Sequence, residues 1–309
     1  MSNHRFFPYV LITVAGLIWG ATFSLALMAT SEGAHPLAIS AWQVVVTAIF
    51  LAIICIYVKV PVFRFRNLRH YLVLAIVGIT APNLAYYYAA PHLSAGLLSI
   101  TVSTVPLITY GFMLVLHYES VMLKRVFGIV LGMVAILLLI LPEQDVSSSD
   151  ANLWVLLALL SAVLYSVENV YIGHGVDHSI DVRELLSGSS IVAIVLQFPL
   201  AVGLGVAEPV SWLLTVPGLA LAGIAFGSSL AYTMFFYTIK SSGAVFASQC
   251  AYIVTLSGVF WGIVIFAEEH SIWVWSSVAV LMTGLMLVTP NNKSSVNLST
   301  ESVVSENAG

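Results

Sequence analysis

The chain has 309 residues, 60% of them apolar and 11% aromatic, with a mean hydropathy of +1.02. Only 8% are Asp, Glu, Lys or Arg, about a third of what coats a soluble domain, so most of the surface must face lipid. A net charge of −4 excludes a nucleic-acid surface, and two cysteines, Cys55 and Cys250, exclude a disulfide framework or a thiolate zinc site.

Cutting the chain wherever charge, Pro/Gly clusters or polar residues interrupt it leaves ten apolar segments: 8–28, 36–58, 71–90, 95–117, 123–141, 151–172, 185–206, 213–239, 243–267 and 271–290. Each approaches the roughly 20 residues that a helix needs to cross a bilayer. Runs such as Phe127 to Leu141 are apolar on every face, which fits helices and not the alternating strands of a membrane barrel. The first run, Pro8 to Met28, lacks a small-residue exit and reads as a span, not a cleavable signal. With the N-terminus inside, Arg5, Lys59, Arg64, Arg66, Arg69, Lys124, Arg125, Arg183, Lys240 and Lys293 all fall on the cytoplasmic side. The opposite loops hold only acids: Glu32, Glu143, Asp145, Asp150, Glu208, Glu268 and Glu269. The fold class expected is therefore an all-α polytopic membrane protein of ten transmembrane helices with both termini cytoplasmic.

The sequence also repeats itself. At an offset of 149, residues 71–142 pair with 220–291 without a gap, with identities that include Gly78/Gly227, Tyr88/Tyr237, Ala95/Ala244, Ser99/Ser248 and Glu119/Glu268. A unit of five helices is odd, so the second copy must enter the membrane upside down, and two inverted five-helix repeats are a transporter architecture. The division expected is 1–144 for the first repeat, 145–290 for the second, joined by the acidic stretch 142–150, and 291–309 as a polar tail with too little to bury and hence disordered.

Candidate residues for a pathway lie inside these spans. In the first, Trp19 and Thr22 stand one turn apart; in the second, Gln43 is an amide inside the span. In the third, Asn83 and Tyr86 follow Pro82, whose ring frees a carbonyl one turn earlier, and Pro106 does the same in the fourth, so kinks there would open a midplane cavity. Tyr165 and Glu168/Asn169 share a small, polar stripe of the sixth span with Ala158 and Ser161. Glu168 is the only acid this reading places inside a span. A carboxyl in lipid is costly unless it faces a cavity or a partner. It either lines the pathway, trading a proton for a cation, or reaches the interface and pairs with a loop charge such as Arg183. Tyr232 and Phe236 in the eighth span and Gln249 in the ninth complete the set. The rings are either cavity walls offering cation–π contact or simple packing and belt residues. Gln43 and Asn83 either touch the pathway or bond helix to helix. Gly16/Gly20, Gly128/Gly132, Gly223/Gly227 and Gly258/Gly262 are small-xxx-small pairs read as helix packing, with homodimerisation as the lesser alternative to a monomer. All eight histidines fall in loops or at span ends, so no metal is expected; no nucleotide loop or hydrolase motif appears, so neither enzyme chemistry nor a cofactor is expected.

In its motifs the chain resembles the ten-helix EamA branch of the drug/metabolite transporter superfamily over about residues 8–290. The resemblance rests on LIWGATF at 17–23, YYYAAPHLSAGLLSITVSTVPL at 86–107, Glu119, GIVLGMVAILLL at 128–139, SSLAYTMFFYTIKSSGAVFAS at 228–248 and Glu268. Many relatives carry an arginine in the second span where this chain places Gln43. The resemblance implies a multi-pass cell-membrane protein (the inner membrane in a bacterium) that exports small organic metabolites such as amino acids, amines or toxic compounds. Its partners would be a small-molecule substrate, the bilayer and, with Glu168 as coupling residue, protons. Efflux of lipophilic or quaternary cations is the alternative transport reading, and a non-transporting membrane scaffold or sensor the alternative of another class.

Overall fold

A computed structural model describes residues 3–140, 151–177, 179–242 and 250–288. The acidic join, Gln249 and the tail 291–309 lie outside the described residues. Ten helical spans follow one another, and no strand occurs among the described residues: α1 (Asn3–Thr30), α2 (Pro36–Tyr57), α3 (Phe65–His92), α4 (Ala95–Val115), α5 (Leu123–Ile140), α6 (Ala151–His174), α7 (Val182–Gly203), α8 (Val216–Ser242), α9 (Cys250–Phe266) and α10 (Ile272–Val288). Seven are individually long and apolar enough to cross a bilayer; α9 and α10 are 17 residues each as described, and α5 opens on Lys124 and Arg125.

Local chemistry fixes several starts. Pro36 opens α2 with His35 Nδ1 accepting from the Leu37 N–H, Ser94 Oγ accepts from the Leu97 N–H at the head of α4, and the Asp181 carboxylate accepts from the Arg183 N–H at the head of α7. The whole molecule has the inside-out surface of a membrane protein. On α2, Ala41, Ala48, Leu51 and Cys55 are buried, while Ile49, Ile53 and Ile56, equally apolar, are more than half exposed. In water that face would be polar; in a bilayer it is the lipid face.

The packing respects the repeat. α1 packs on α8 and α9, and α6 packs on α3 and α4; α2 lies on α8 as α7 lies on α3; α2–α7, α4–α9 and α5–α10 pair across the centre. Exchanging each helix of one repeat with its counterpart leaves this set unchanged, as an inverted repeat requires. Small residues make the closest crossings. A Cβ on Gly16 would meet Ile253 at 2.6 Å, one on Gly20 would meet the Gly258 backbone at 2.8 Å, and one on Gly128 would meet the Gly284 carbonyl at 2.7 Å. Hydroxyls cross the same seams: Ser257 Oγ donates to the Gly16 carbonyl at 2.9 Å and Ser277 Oγ to the Ala135 carbonyl at 2.8 Å.

Two helices are interrupted at mid-depth. α3 passes through a π-helical stretch, Leu74–Thr80, ending just before Pro82. Proline lacks the N–H that would bond the Gly78 carbonyl, and a wider turn relieves the clash of its ring. α4 divides into Ala95–Val102 and Val105–Val115 about a turn at Ser103 and Thr104, just ahead of Pro106. Ser103 and Thr104 hold the break by donating back to the Ser99 and Thr101 carbonyls.

One boundary differs from the sequence expectation with consequence. α7 begins at Val182, not 185, and so includes Glu184, which is 2% exposed. Glu168 is therefore not the only acid within a span. The run Asp181–Val182–Arg183–Glu184 looks like a loop by charge, but Asp181 caps the helix, Arg183 turns back onto Asp181, and Glu184 is bonded inward: Asn67 Nδ2 donates to it at 2.7 Å and the Tyr71 hydroxyl at 3.0 Å.

Candidate functional site

Between the two repeats lies a cavity of about 490 Å³, walled by α1, α2, α3, α4, α6, α7, α8 and α9. The volume suits a drug-sized or smaller ligand. Of its described lining residues only Asn169 and Tyr232 are exposed. Both lie in the C-terminal halves of α6 and α8, so the mouth faces the end where these two helices finish. The same end carries Lys59, Arg64, Arg66, Lys124 and Arg125.

Nine of the eleven candidate residues line this cavity: Trp19, Thr22, Gln43, Asn83, Tyr86, Tyr165, Glu168, Asn169 and Tyr232. Gln249 lies outside the described residues. For Phe236 only the backbone, within α8, is described, and its ring neighbour Phe235 lines the cavity instead. Gly78, Thr47, Ser190 and Ser229 line it too, beyond the residues expected from the sequence. Gly78 carried a signal, its identity with Gly227 in the repeat.

Glu168 is 8% exposed; among the described residues it is the only carboxylate of the lining, and no Lys, Arg or His joins it there. Arg183 is not its partner, being held by Asp181 at 2.6 Å. The carboxylate instead lies against the π-helical segment of α3. A Cβ on Gly78 would meet its Cδ and Oε1 at 2.6 Å, so glycine is what admits it. At the counterpart glycine, Gly227, the notch is filled by Ile18 of α1, which a Cβ there would meet at 2.9 Å. The repeats thus build the same notch twice and place a charge in only one. The phenols of Tyr165 and Tyr232 stand within electrostatic reach of that charge.

Above Glu168 a chain of hydrogen bonds ties three helices. The Tyr165 hydroxyl donates to Asn83 Oδ1 at 3.2 Å; Asn83 Nδ2 donates to Gln43 Oε1 at 3.1 Å and to Ser40 Oγ at 3.4 Å; the Tyr87 hydroxyl donates to the same Gln43 oxygen at 2.7 Å. Gln43 and Asn83 therefore bond helix to helix and line the cavity at once. Thr22 is satisfied locally, donating to the Trp19 carbonyl at 2.6 Å. The indole of Trp19 stands edge-on to Tyr232 at 5.0 Å and to Phe235 at 5.5 Å, and Tyr86 neighbours Phe23 and Tyr87. The result is an aromatic box with one anionic corner and one polar wall.

The sequence profile of the EamA-like transporter family matches residues 6–141 and 152–289, one match to each repeat. The chain belongs to the EamA-like transporter family. This EamA-like protein is 20% identical over 163 residues, 52% of its length, to a protein of Buchnera aphidicola subsp. Schlechtendalia chinensis named "Uncharacterized transporter in trpA 3'region", and spans about half, 53%, of that relative. A solved crystal structure shares its fold at a TM-score of 0.64 and 17% identity, over 91% of this chain and 96% of that one. The EamA-like chain is thus a multi-pass membrane protein of a transporter family, its cavity lying between the two repeats.

Proposed function

We propose that this EamA-like protein is a secondary transporter that exports small organic amino compounds by alternating access, binding their ammonium group at Glu168 inside the aromatic box. The observation that carries the reading is the charge pattern of the cavity: one buried carboxylate, no cation among the described lining residues, and rings within reach. Such a site repels anions, and its π faces and carboxylate both favour a cation. An amine satisfies it with its ammonium alone. An amino acid would also set its carboxylate against the Gln43 amide nitrogen and the serine hydroxyls of α8. The mouth lies at the end bearing the basic loops, which the charge bias of membrane proteins assigns to the cytoplasm, so substrate loads from within and both termini lie there. A proton on Glu168 would replace the departing cation and couple export to the proton gradient. The same charge pattern favours lipophilic or quaternary cations as a second substrate class.

Solute-induced currents in proteoliposomes, over a panel of amines, amino acids and quaternary cations, test the reading with Glu168→Gln beside the wild type. Currents for cationic amines that fall at least about tenfold in the variant, the effect of losing one charge-assisted contact of about 1.4 kcal/mol or more, are expected. Equal currents in the two proteins would remove Glu168 from the pathway, and no movement of any solute, charged or by radiolabel, would favour a non-transporting scaffold.

A further inference from the structure

The break in α3 leaves backbone oxygen open beside Glu168. The Ala81 N–H is spent on the Ile76 carbonyl, and Pro82 has no N–H to give. The carbonyls of Val77 and Gly78 therefore have only the Asn83 N–H between them, so at least one lacks a partner within the helix. Open backbone at membrane depth is tolerated where it meets a cavity, and Gly78 and Ile79 line the large one. Carbonyls freed at such interruptions are ready ligands for a cation.

Glu168 stands against the same turn. Its Oε1 lies 2.6 Å from where a Cβ of Gly78 would be, which by bond lengths alone sets it at most about 6.5 Å from the Gly78 oxygen. One nitrogen placed about 2.8 Å from each oxygen bridges most of that gap. Among the described residues no N–H or O–H donates to the Glu168 carboxylate; burial alone acts on it. The second repeat has neither part of this arrangement. Its position for Pro82 is Ala231, α8 runs unbroken from Val216 to Ser242, and Ile18 fills the notch at Gly227. Open carbonyls and charge thus occur together, at one helix crossing of one repeat.

We propose that this corner counts the N–H bonds of the bound cation: a primary ammonium sets one N–H on Glu168 and the others on the carbonyls that Pro82 leaves open. Charge attracts every cation alike, but a carboxylate and a carbonyl can only accept, and a quaternary nitrogen has nothing to donate. Its methyl groups would also cover the open carbonyls and leave them buried without a partner. The substrate class narrows from organic cations in general to compounds with a primary ammonium group. Pro82 is the specificity-determining residue, acting through the backbone one turn below it. The inference rests on the reading of Glu168 as the ammonium site.

A methylation series tests it. The affinities of 2-phenylethylamine and its N-methyl, N,N-dimethyl and N,N,N-trimethyl derivatives for the purified protein are measured by calorimetry, at a pH where all four carry one positive charge. The wild type is expected to bind the primary amine at least about tenfold more tightly than the quaternary member, the effect of losing charge-assisted hydrogen bonds, with the other two in between. Cation–π contact and apolar area run the other way and favour the quaternary member. Pro82→Ala and Pro82→Ser each restore the missing N–H and give an open carbonyl its partner. In whichever of them melts near the parent's temperature, the series should close to within about threefold. Glu168→Gln should weaken all four ligands.

Wild-type affinities that do not fall with methylation would overturn the proposal whether or not the proline variants fold. So would a fall that persists in full in a folded proline variant. In either case a loss of all four ligands in Glu168→Gln would leave the cation site standing. Affinities unchanged in Glu168→Gln would overturn the cation site, and this inference with it.

Discussion

At the scale of single residues, the cavity separates side chains that bind from those that only hold. Asn83 ties α2 to α6 through Gln43, Ser40 and Tyr165, and its loss leaves buried partners unsatisfied. Asn83→Ala is expected to cost about 1–3 kcal/mol, read as a lower melting temperature in detergent. Thr22→Ala is expected to stay within about 0.5 kcal/mol, because its hydroxyl is bonded only within its own turn. Gly78 matters through Glu168. Gly78→Ala sets a methyl where the carboxylate now lies, so binding of a cationic amine should weaken about tenfold, and Glu168→Asp, one methylene shorter, should restore part of it in the double variant. An additive double variant would show that the two side chains do not compete for the notch. The amide, phenol and carboxylate of this wall were legible in the sequence, because polar atoms inside apolar spans have few other reasons to be there. Gly78 showed only as a repeat identity with Gly227 and Ser190 not at all, since glycine and serine in a helix have ordinary packing roles until a neighbour is seen against them.

At the scale of elements, the helices were legible because the bilayer fixes their length and leaves no polar face to confuse the count. What charge obscured was the start of α7, where Glu184 reads as loop until Asn67 and Tyr71 are found bonded to it. The prolines announced the two interruptions, but the π-helical form of Leu74–Thr80 and the turn at Ser103–Thr104 depend on neighbours that sequence does not display. The pairing of α5 with α10 rests on backbone contact at Gly128 and Gly284, where each glycine's Cβ position meets the other's carbonyl within 2.8 Å. Gly284→Val should force the pair apart at a cost of about 1–3 kcal/mol and lower the melting temperature with little change in substrate affinity, because neither helix lines the large cavity. An affinity loss matching the stability loss would mean that this pair also shapes the site.

At the scale of the whole molecule, one architecture used twice yields a nearly symmetric scaffold with an asymmetric content. The scaffold gives each helix its counterpart's neighbours; the content, among the described residues, is a carboxylate where the other repeat has Ile18. In the proposed cycle that symmetry would let the two ends exchange states, and Glu168 would give the cargo its sign. Selection of cations through Glu168 is the property on which the proposed cycle depends. The most direct measurement is equilibrium binding to purified protein of a radiolabelled aromatic amine and of its uncharged isostere, for wild type and Glu168→Gln. The wild type should prefer the amine by at least about tenfold, and the variant should lose that preference while still binding the isostere. Equal affinity of the wild type for the two ligands, or a preference that survives in Glu168→Gln, would contradict cation selection by this carboxylate.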